Sequence, residues 1–284
     1  DVLIIDKSGS EYIIDCLPDG LKVEILEVRD TIPYIFSFSF FYFCIKRVIR
    51  FGFALKSLIV IVPIVKILNP RVVITFIDNK GIMGELSEIF PNKTIISVQN
   101  GIRLDYEFLT GDRSYNFKSS IYFGFGDYEL DLMKGNQAIV EEYHAVGSLK
   151  LGLFLSKHNN KALSNSGGVC FVSQYRSQQV NSSKQVNVKF TGIVRDVYRQ
   201  LVDYTSVNKY KLYVTMFHHK GEDDYTKELD FFKSIVNSDR VEFLPNSKSR
   251  YSSYKASIKS EVIVTMDSTL GFEMFGCGKK ILFC

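Results

Sequence analysis

The chain has 284 residues, of which 46% are hydrophobic and 23% are charged, and its net charge is +4 at neutral pH. This length allows one large domain or two ordinary ones. The apolar fraction excludes wholesale disorder, and the content of 19 Gly and 6 Pro excludes a collagen-like or low-complexity chain. The charge is a small difference between 35 basic and 31 acidic residues, which argues against a dedicated nucleic-acid-binding protein.

The cysteine and histidine residues argue against a metal site or a disulfide framework. The 5 cysteines are widely spaced and form no CxxC pair. His218 and His219 are adjacent, and neighbouring side chains on a strand point to opposite faces, so we expect no shared metal. The chain opens on DVLIID without the basic region of a signal peptide. These features predict a cytoplasmic protein and leave contact with the inner face of the cytoplasmic membrane open.

Short β-branched runs alternate with amphipathic segments along the chain. In the first half, this pattern predicts strands at 2–6, 22–26, 72–77, 94–99, 120–125 and 143–147, with helices at 82–89 and 128–134. In the second half, it predicts strands at 168–173, 211–217, 240–244, 261–266 and 279–284, with helices at 189–204, 225–236, 250–259 and from Ser268 or Thr269. Such alternation indicates an α/β protein with right-handed βαβ units and parallel sheets.

Two apolar runs interrupt this pattern. Residues 32–45 are almost wholly apolar and residues 51–68 nearly so, and the first run is shorter than the ~20 residues that a spanning helix requires. Basic residues flank or interrupt the runs: Lys46, Arg47, Arg50, Lys56 and Lys66. Three interpretations stay open, namely a buried or partly buried helical pair, a basic apolar surface resting on an anionic membrane, and helices that span a membrane.

The polar segment 156–168 is rich in Asn and Ser and ends in Gly-Gly, which predicts a linker. We therefore expect two Rossmann-like domains, 1–155 and 169–284, whose sheets face a central cleft. The last strand is expected at or near the centre of its sheet. Because no helices follow it, we expect the second domain to lack its closing helices and the chain to be a fragment or a trimmed protein.

Ligands of open parallel sheets bind beyond the carboxyl ends of the strands. Polar residues follow the predicted strands at seven places: Asp78-Asn79, Gln99-Asn100 with Arg103, Asp127 with Glu129, Ser173-Gln174-Tyr175-Arg176, His218-His219-Lys220, Asn246-Ser247 and Asp267-Ser268-Thr269. The alternative for each is an ordinary helix cap, because caps favour the same residue types.

The stretch from Asp267 to Glu273 joins a predicted strand to a predicted helix. The N–H groups and the dipole at a helix start favour an anion such as phosphate, and Glu273 lies about one turn further on, within reach of a ribose hydroxyl. The sequence has no GxGxxG after its first strand, which argues against a classical NAD site, and no GxxxxGK[ST], which excludes a P-loop NTPase. It has no GxSxG either.

The string MDSTLGFEMFGCGKKILF (266–283) resembles the donor-binding stretch of bacterial surface-polysaccharide glycosyltransferases of GT-B type. In that group, a Ser-Ser/Thr-x-Gly-x-Glu-x-x-x-x-Gly-Lys-Lys pattern holds the nucleotide. Segments similar to the first domain of the group are ITFIDNKG (74–81), ISVQNGIR (96–103), FGFGDYELDLM (123–133) and VGSLKLG (146–152). The resemblance covers most of 70–284, and it extends to retaining β-Kdo transferases and to surface carbohydrate biosynthesis proteins of capsule and O-antigen.

The resemblance implies a metal-independent glycosyltransferase without a cofactor. The donor would be a nucleotide-sugar, with CMP-Kdo as the most specific version, and the acceptor a glycan or glycolipid. Donor contacts are implied for Ser173, Gln174, His218, His219, Lys220, Asp267, Ser268, Thr269 and Glu273. Asn79, Gln99, Asn100 and Arg103 would line the acceptor side. The alternatives are a sugar-nucleotide epimerase or glycerophosphotransferase on the same fold, and a non-catalytic nucleotide-binding relative.

The resemblance also implies a carboxylate in the first domain. Asp127 is the first choice, because it follows a predicted strand and begins a predicted helix, and Asp78 is the second. The carboxylate would be a nucleophile in a retaining enzyme, or the base that deprotonates the acceptor hydroxyl in an inverting one.

Overall fold

The computed structural model describes residues 1–27, 38–51, 56–78, 82–103, 118–136, 138–158, 167–175, 184–246 and 251–284. The chain divides into two compact units, Asp1–Leu153 and Phe154–Cys284. Each unit is built on one sheet, and the paired strands of both sheets are parallel. The α/β class expected from the alternating pattern is confirmed.

The first unit holds a parallel sheet flanked by helices. Its strands are β1 (Val2–Ile5), β2 (Val23–Leu26), β3 (Val72–Thr75), β4 (Thr94–Val98), β5 (Lys118–Gly124) and β6 (Ile139–Ala145). Its helices are α1 (Ser10–Ile14), α2 (Phe38–Phe51), α3 (Lys56–Leu68), α4 (Ile82–Ile89) and α5 (Asp127–Gly135), and α6 (Leu149–Lys157) contains the division between the units. The strand order is β2-β1-β3-β4-β5-β6.

On the central strands, both the odd-numbered and the even-numbered positions are apolar, which explains why this sheet is buried on both faces. Leu3 and Ile5 of β1 pack into one cluster with the buried side chains of α3 and α4. Val2 and Ile4 point the other way and pack with Ile13 of α1. Successive side chains of a strand alternate between faces, so a continuous apolar run is what a doubly covered parallel strand requires.

The second unit repeats this plan. Its strands are β7 (Val169–Val172), β8 (Leu212–His219), β9 (Val241–Asn246), β10 (Val262–Thr265) and β11 (Lys280–Phe283), in the order β11-β10-β7-β8-β9. Its helices are α7 (Lys184–Val207), α8 (Asp223–Ile235), α9 (Ser252–Lys259) and α10 (Thr269–Gly276). Phe171 of β7, Tyr198 of α7 and Phe232 of α8 are fully buried and pack together at one face of the sheet.

Several expectations about the elements are corrected. The last strand, β11, is at the edge of its sheet and not near the centre, because β10 already has β7 on its other side. The strand expected at 143–147 begins earlier and spans Ile139–Ala145. Residues 156 and 157, assigned to the linker, belong to α6, whose Phe154 is fully buried. Most of the remaining linker, 159–166, lies outside the described residues.

The two apolar runs form helices α2 and α3 over their described parts. In the middle of α3, four apolar side chains pack into the core cluster of the sheet, namely Ile61, Val62, Ile64 and Val65. Pro63 lies between the two pairs. Among the described helices, none is both long enough and apolar enough to cross a membrane.

Candidate functional site

The strand order of the second sheet reverses between β7 and β10. The chain runs outward from β7 through β8 to β9, and then returns to place β10 on the opposite side of β7. At such a reversal, the connections after the two strands leave in opposite directions and open a crevice at the carboxyl edge, where ligands of α/β proteins bind. Ser173 and Gln174 follow β7 at this edge, and Asp267 and Ser268 follow β10.

Gln174 bridges the two sides of this crevice. Its Oε1 accepts hydrogen bonds from the backbone N–H groups of Met266 and Asp267, both at 3.2 Å. Its Nε2 donates to the Asp267 carboxylate. The amide oxygen and the amide nitrogen of one side chain therefore both hold the segment after β10 against the segment after β7.

Helix α10 starts immediately beyond this bridge. Ser268 is its N-cap residue, and the Ser268 Oγ accepts a hydrogen bond from the Leu270 N–H at 3.3 Å. Gly271 lets the first turn approach the sheet, because a Cβ at this position would lie 2.6 Å from Thr265 Cγ2 and 3.1 Å from the Phe283 ring. The N-terminus of α10, where backbone N–H groups favour an anion, is thereby held close to the end of β10.

Glu273 and Thr269 lie on the same helix. Glu273 is only 7% exposed, and its Oε2 accepts a hydrogen bond from the Tyr254 hydroxyl of α9 at 2.7 Å. Thr269 is half-buried at the first helical position. The contact of Glu273 with a ribose stays a prediction.

Glu228 of α8 organises the end of β8. Its fully buried carboxylate accepts hydrogen bonds from the Ser173 hydroxyl, from the N–H groups of Phe217 at 3.0 Å and His218 at 3.1 Å, and contacts His218 Nδ1 at 3.1 Å. The register between β8 and β9 shifts between Thr215 and His219. The carboxylate thus supplies acceptors to backbone N–H groups within the irregular stretch and orients the imidazole of His218.

The sequence did not predict a role for Glu228, because the candidate residues were those at the ends of strands and not those within helices. A signal was available. Glu228 lies on the inward stripe of α8, beside Leu229 and one turn before Phe232. A carboxylate on an apolar helical stripe must find polar partners when it is buried, so its position marks a polar cluster beneath the helix.

The adjacent histidines have different partners, as expected for neighbours on a strand. His218 contacts Glu228, whereas His219 Nδ1 lies 3.0 Å from the carbonyl oxygen of Asn246 at the end of β9. Lys220 is exposed. The Tyr175 ring lies edge-on to the His218 ring, with 6.3 Å between centroids. Within the described ranges, no group of three or more His, Cys, Asp or Glu side chains is placed to hold a metal ion.

In the first unit, Asp78 is the centre of a buried polar cluster. Its carboxylate is inaccessible to solvent and accepts hydrogen bonds from Arg103 Nε at 3.1 Å, from the Tyr122 hydroxyl at 2.5 Å and from the Asn100 N–H at 3.2 Å, and it also pairs with Arg103 Nη2. Burial raises the pKa of Tyr122 well above its ordinary value, so its hydroxyl stays a donor. Both oxygens of Asp78 are engaged in holding neighbouring groups.

Gln99 and Asn100 complete this cluster at the end of β4. Gln99 Oε1 accepts from the Phe125 N–H at 2.8 Å, and its Nε2 donates to the Gly101 carbonyl at 2.9 Å. Asn100 Oδ1 accepts from Arg103 Nη2 at 3.1 Å. The structure therefore brings together four of the predicted residues, namely Asp78, Gln99, Asn100 and Arg103. The fifth, Asn79, lies outside the described residues.

Two carboxylates on the first turn of α5 differ sharply in environment. Asp127, the first choice from the sequence, is exposed. Glu129 is 5% exposed, and burial raises its pKa, although hydrogen bonds from Gln99 and the Gly126 backbone and the charge of Arg103 act in the opposite direction. A buried carboxyl with a raised pKa beside a guanidinium is a typical setting for a general acid or base. The sequence had placed Glu129 among the strand-end candidates but had not chosen it.

Comparison with solved structures shows the fold, and comparison with family models shows the family. The chain resembles a UDP-GlcNAc 2-epimerase from Methanocaldococcus jannaschii with a TM-score of 0.54 and 10% identity, over 99% of this chain and 82% of the epimerase. This likeness shows the fold alone, and it confirms the expected GT-B class of two parallel-sheet α/β domains.

Two further structures are similar over 99% of this chain, although at lower scores. A glycosyltransferase from Rickettsia africae gives a TM-score of 0.47 at 11% identity over 78% of its chain. The heptosyltransferase WaaC of E. coli gives 0.40 at 11% identity over 87% of its chain. Comparison with curated proteins finds no significant match.

A family model described as "putative O-antigen biosynthesis protein" matches residues 95–284, which is more than half of the chain. The matched region contains the end of β4, the polar residues around α5 and the whole second unit. The chain therefore belongs to this family of O-antigen biosynthesis proteins.

Proposed function

We propose that the protein is a glycosyltransferase of surface polysaccharide biosynthesis, which transfers a sugar from a nucleotide-sugar donor to a glycan or glycolipid acceptor. The observation that carries this proposal is the crevice between β7 and β10, where Gln174 fixes the segment that leads into α10. Membership of an O-antigen biosynthesis family supports the biological setting.

In this proposal, the second unit binds the donor. A diphosphate or phosphate of the nucleotide accepts hydrogen bonds from the first turn of α10, whose dipole favours negative charge. His218, oriented by Glu228, and the exposed Lys220 lie on β8 and just after it, and β8 is the other neighbour of β7. Because the leaving group is a phosphate ester, preorganised donors and cations of this kind stabilise the charge that develops on it.

In this proposal, the residues that act on the acceptor belong to the first unit. Glu129 is the general acid or base that its burial favours, and the exposed Asp127 is the alternative that the resemblance favours. Residues two apart on a helix face different directions, so the two carboxylates are not interchangeable. Asp78 is proposed as a positioning residue for Arg103, since its oxygens are engaged in the buried cluster.

The most specific version of the proposal names CMP-Kdo as the donor, with retention at the transferred carbon and no metal requirement. Its support is the resemblance of residues 266–283 to retaining transferases that use this donor. Comparing CMP-Kdo with UDP- and GDP-sugars in a transfer assay, with and without EDTA, tests each element separately.

A sugar-nucleotide epimerase is the second candidate, and the likeness to the UDP-GlcNAc 2-epimerase favours it. The two activities differ in what they need. An epimerase converts a nucleotide-sugar without any acceptor, whereas a transferase releases nucleotide in an acceptor-dependent reaction. Incubation of the protein with UDP-GlcNAc alone, followed by chromatography of the sugar, separates them.

Nucleotide binding is tested first by thermal unfolding with CMP, CDP, UDP and GDP. A ligand present at 100 times its Kd stabilises the native state by about 2.7 kcal/mol, which is readily measured. At least one nucleotide should raise the melting temperature of the protein, and the rise should shrink in Gln174→Ala. If none of the four does so, both the transferase and the epimerase are excluded. If one binds but neither reaction occurs, a non-catalytic relative remains.

The apolar runs left open a peripheral contact with an anionic membrane, which would bring the protein to a glycolipid acceptor. Such a contact involves a surface on helix α2 and not the donor crevice, and the proposed reaction does not depend on it.

A further inference from the structure

Helix α2 carries an apolar stripe on its exposed side. The stripe is formed by side chains that are between 52% and 97% exposed, namely Phe38, Phe41, Tyr42, Ile45 and Ile49. Their spacing of three or four residues places them along one face of the helix. Large apolar side chains grouped in this way on a surface mark an interaction site, whereas single exposed ones need no explanation.

The opposite side of α2 is already committed to the fold. Phe40 is buried in the core cluster, with Cys44 packed against the same cluster. The Cys44 thiol donates to the Ile59 carbonyl of α3 at 3.3 Å, and Lys66 Nζ of α3 lies 5.3 Å from the centre of the Phe43 ring. Because these contacts fix the rotation of α2, the exposed stripe cannot turn inward without breaking them.

The charge of this segment has one sign. Residues 31–68 contain five basic residues and no Asp or Glu. Lys46 and Lys66 are exposed, and Lys46 Nζ lies 6.0 Å from the centre of the Tyr42 ring, beside the stripe. A helix that carries a row of exposed aromatic and aliphatic side chains, within a segment that has basic but no acidic residues, complements an anionic phospholipid bilayer. The acyl region of the bilayer takes the stripe and the headgroups attract the bases.

We infer that α2 lies in the interface of an anionic phospholipid bilayer, with its apolar stripe inserted below the headgroups and Lys46 at their level. A helix of 14 residues is about 21 Å long, enough to lie along the surface. Two copies of the chain that joined through this face would bring like charges together, so charge complementarity favours lipid over a second copy. The inference is independent of the proposed reaction.

The test is flotation of the protein with lipid vesicles, one set of phosphatidylcholine alone and one with 30% phosphatidylglycerol, both at about 0.1 M and 0.5 M salt. Wild-type protein should float with the anionic vesicles, less at high salt because charges are screened. Phe41→Gln, Ile45→Gln and Ile49→Gln combined should reduce the partition coefficient more than tenfold. Lys46→Gln should reduce it roughly fivefold.

Matched controls separate this surface from general stickiness. Ile14→Gln, Ile139→Gln and Val207→Gln combined replace three exposed apolar residues elsewhere, and Lys22→Gln with Lys233→Gln removes two exposed charges. Both should float like wild type, and circular dichroism should show every variant folded. Absence of flotation, equal flotation with uncharged vesicles, or wild-type flotation of the α2 triple variant each overturns the inference. So does a wild-type dimer in sedimentation analysis that the α2 triple variant makes monomeric.

Discussion

Gln174 and Asp267 hold each other across the point where the strand order of the second sheet reverses. The amide nitrogen of Gln174 donates to the Asp267 carboxylate, and the amide oxygen accepts from the Asp267 backbone N–H. A glutamine is suited to this task because one side chain supplies both a donor and an acceptor. The pair sets the geometry of the crevice in which the proposed donor lies.

The first prediction concerns this bridge. Gln174→Ala removes its hydrogen bonds, which lie near the surface, so the free energy of unfolding should fall by only about 1 kcal/mol. Nucleotide affinity should fall at least tenfold, since the start of α10 loses its support. Isothermal titration calorimetry measures the affinity, and Asn208→Ala, which removes a local amide contact on α7, serves as the control. Equal affinity in Gln174→Ala and wild type would contradict the bridging role.

The second prediction concerns the close approach of α10 to the sheet. A Cβ at Gly271 overlaps the Thr265 side chain, so Gly271→Ala should destabilise the protein by roughly 1–3 kcal/mol and weaken nucleotide binding. Gly276 is the control at the end of the same helix, because a Cβ there would meet no atom within 4 Å beyond its chain neighbours and its own helix backbone. Urea unfolding of both variants gives the comparison. Similar stabilities would mean that α10 shifts freely, against the packing described.

The third prediction concerns Glu228. Glu228→Ala leaves three donors, one buried and two partly buried, without their acceptor, each at a cost of about 1–3 kcal/mol, so a loss of about 3 kcal/mol in unfolding free energy is expected. Asp230→Ala, at an exposed position of α8, should change it by less than about 0.5 kcal/mol. Glu228→Gln retains an acceptor oxygen and should fall between them. A mild effect of Glu228→Ala would show that water replaces the carboxylate.

The fourth prediction concerns pH. Burial raises the pKa of Glu129, so the native state holds this proton more tightly than the unfolded state. The group therefore lowers stability as pH rises from the ordinary glutamate pKa through the raised one, and Glu129→Gln should gain stability over wild type across that window. Transfer activity should lose the corresponding limb of its pH profile.

Asp127→Asn is the paired control for this experiment, because Asp127 is exposed on the same turn. It should leave the pH profile of transfer intact if Glu129 is the general acid or base. Loss of transfer in Asp127→Asn, with full activity in Glu129→Gln, would instead assign the role to Asp127. Nucleotide affinity should be nearly unchanged in both variants, which separates a chemical defect from a binding defect.

Local patterns predicted most elements, since the information they need is local. Helix α4 was expected at the residues it occupies, because its apolar spacing is bounded by polar turns. Helix α1 was missed, for it has only five residues and no apolar period of its own. On α7, Ile193 is 50% exposed, whereas Tyr198, five residues later on the same helix, is fully buried. Periodicity gives the angle between side chains, but neighbouring elements decide which of them is covered.

The site was only partly predictable for a related reason. The strand-end rule found Gln174, Ser268 and His218, since each follows or ends a strand at the ligand-binding edge. It did not show that Asp78 would be enclosed by Arg103 and Tyr122, because Arg103 lies in the segment after β4 and Tyr122 lies within β5, not at its end. The edge position of β11 is likewise a property of strand order, which periodicity does not encode.

Near the end of β8, where the register with β9 shifts, the imidazole of His218 contacts Glu228, a helix residue ten positions later in the chain. With Glu228 in place, the backbone of this stretch need not follow the ladder of its neighbouring strand. Glu228 and His218 are therefore coupled. A substitution that restores a regular ladder in β8 would change the direction of the His218 ring, and one that removes the Glu228 carboxylate would leave the N–H groups of Phe217 and His218 without their acceptor. A change in the ligand preference of the proposed donor site at this edge therefore requires matched substitutions in the helix and in the strand.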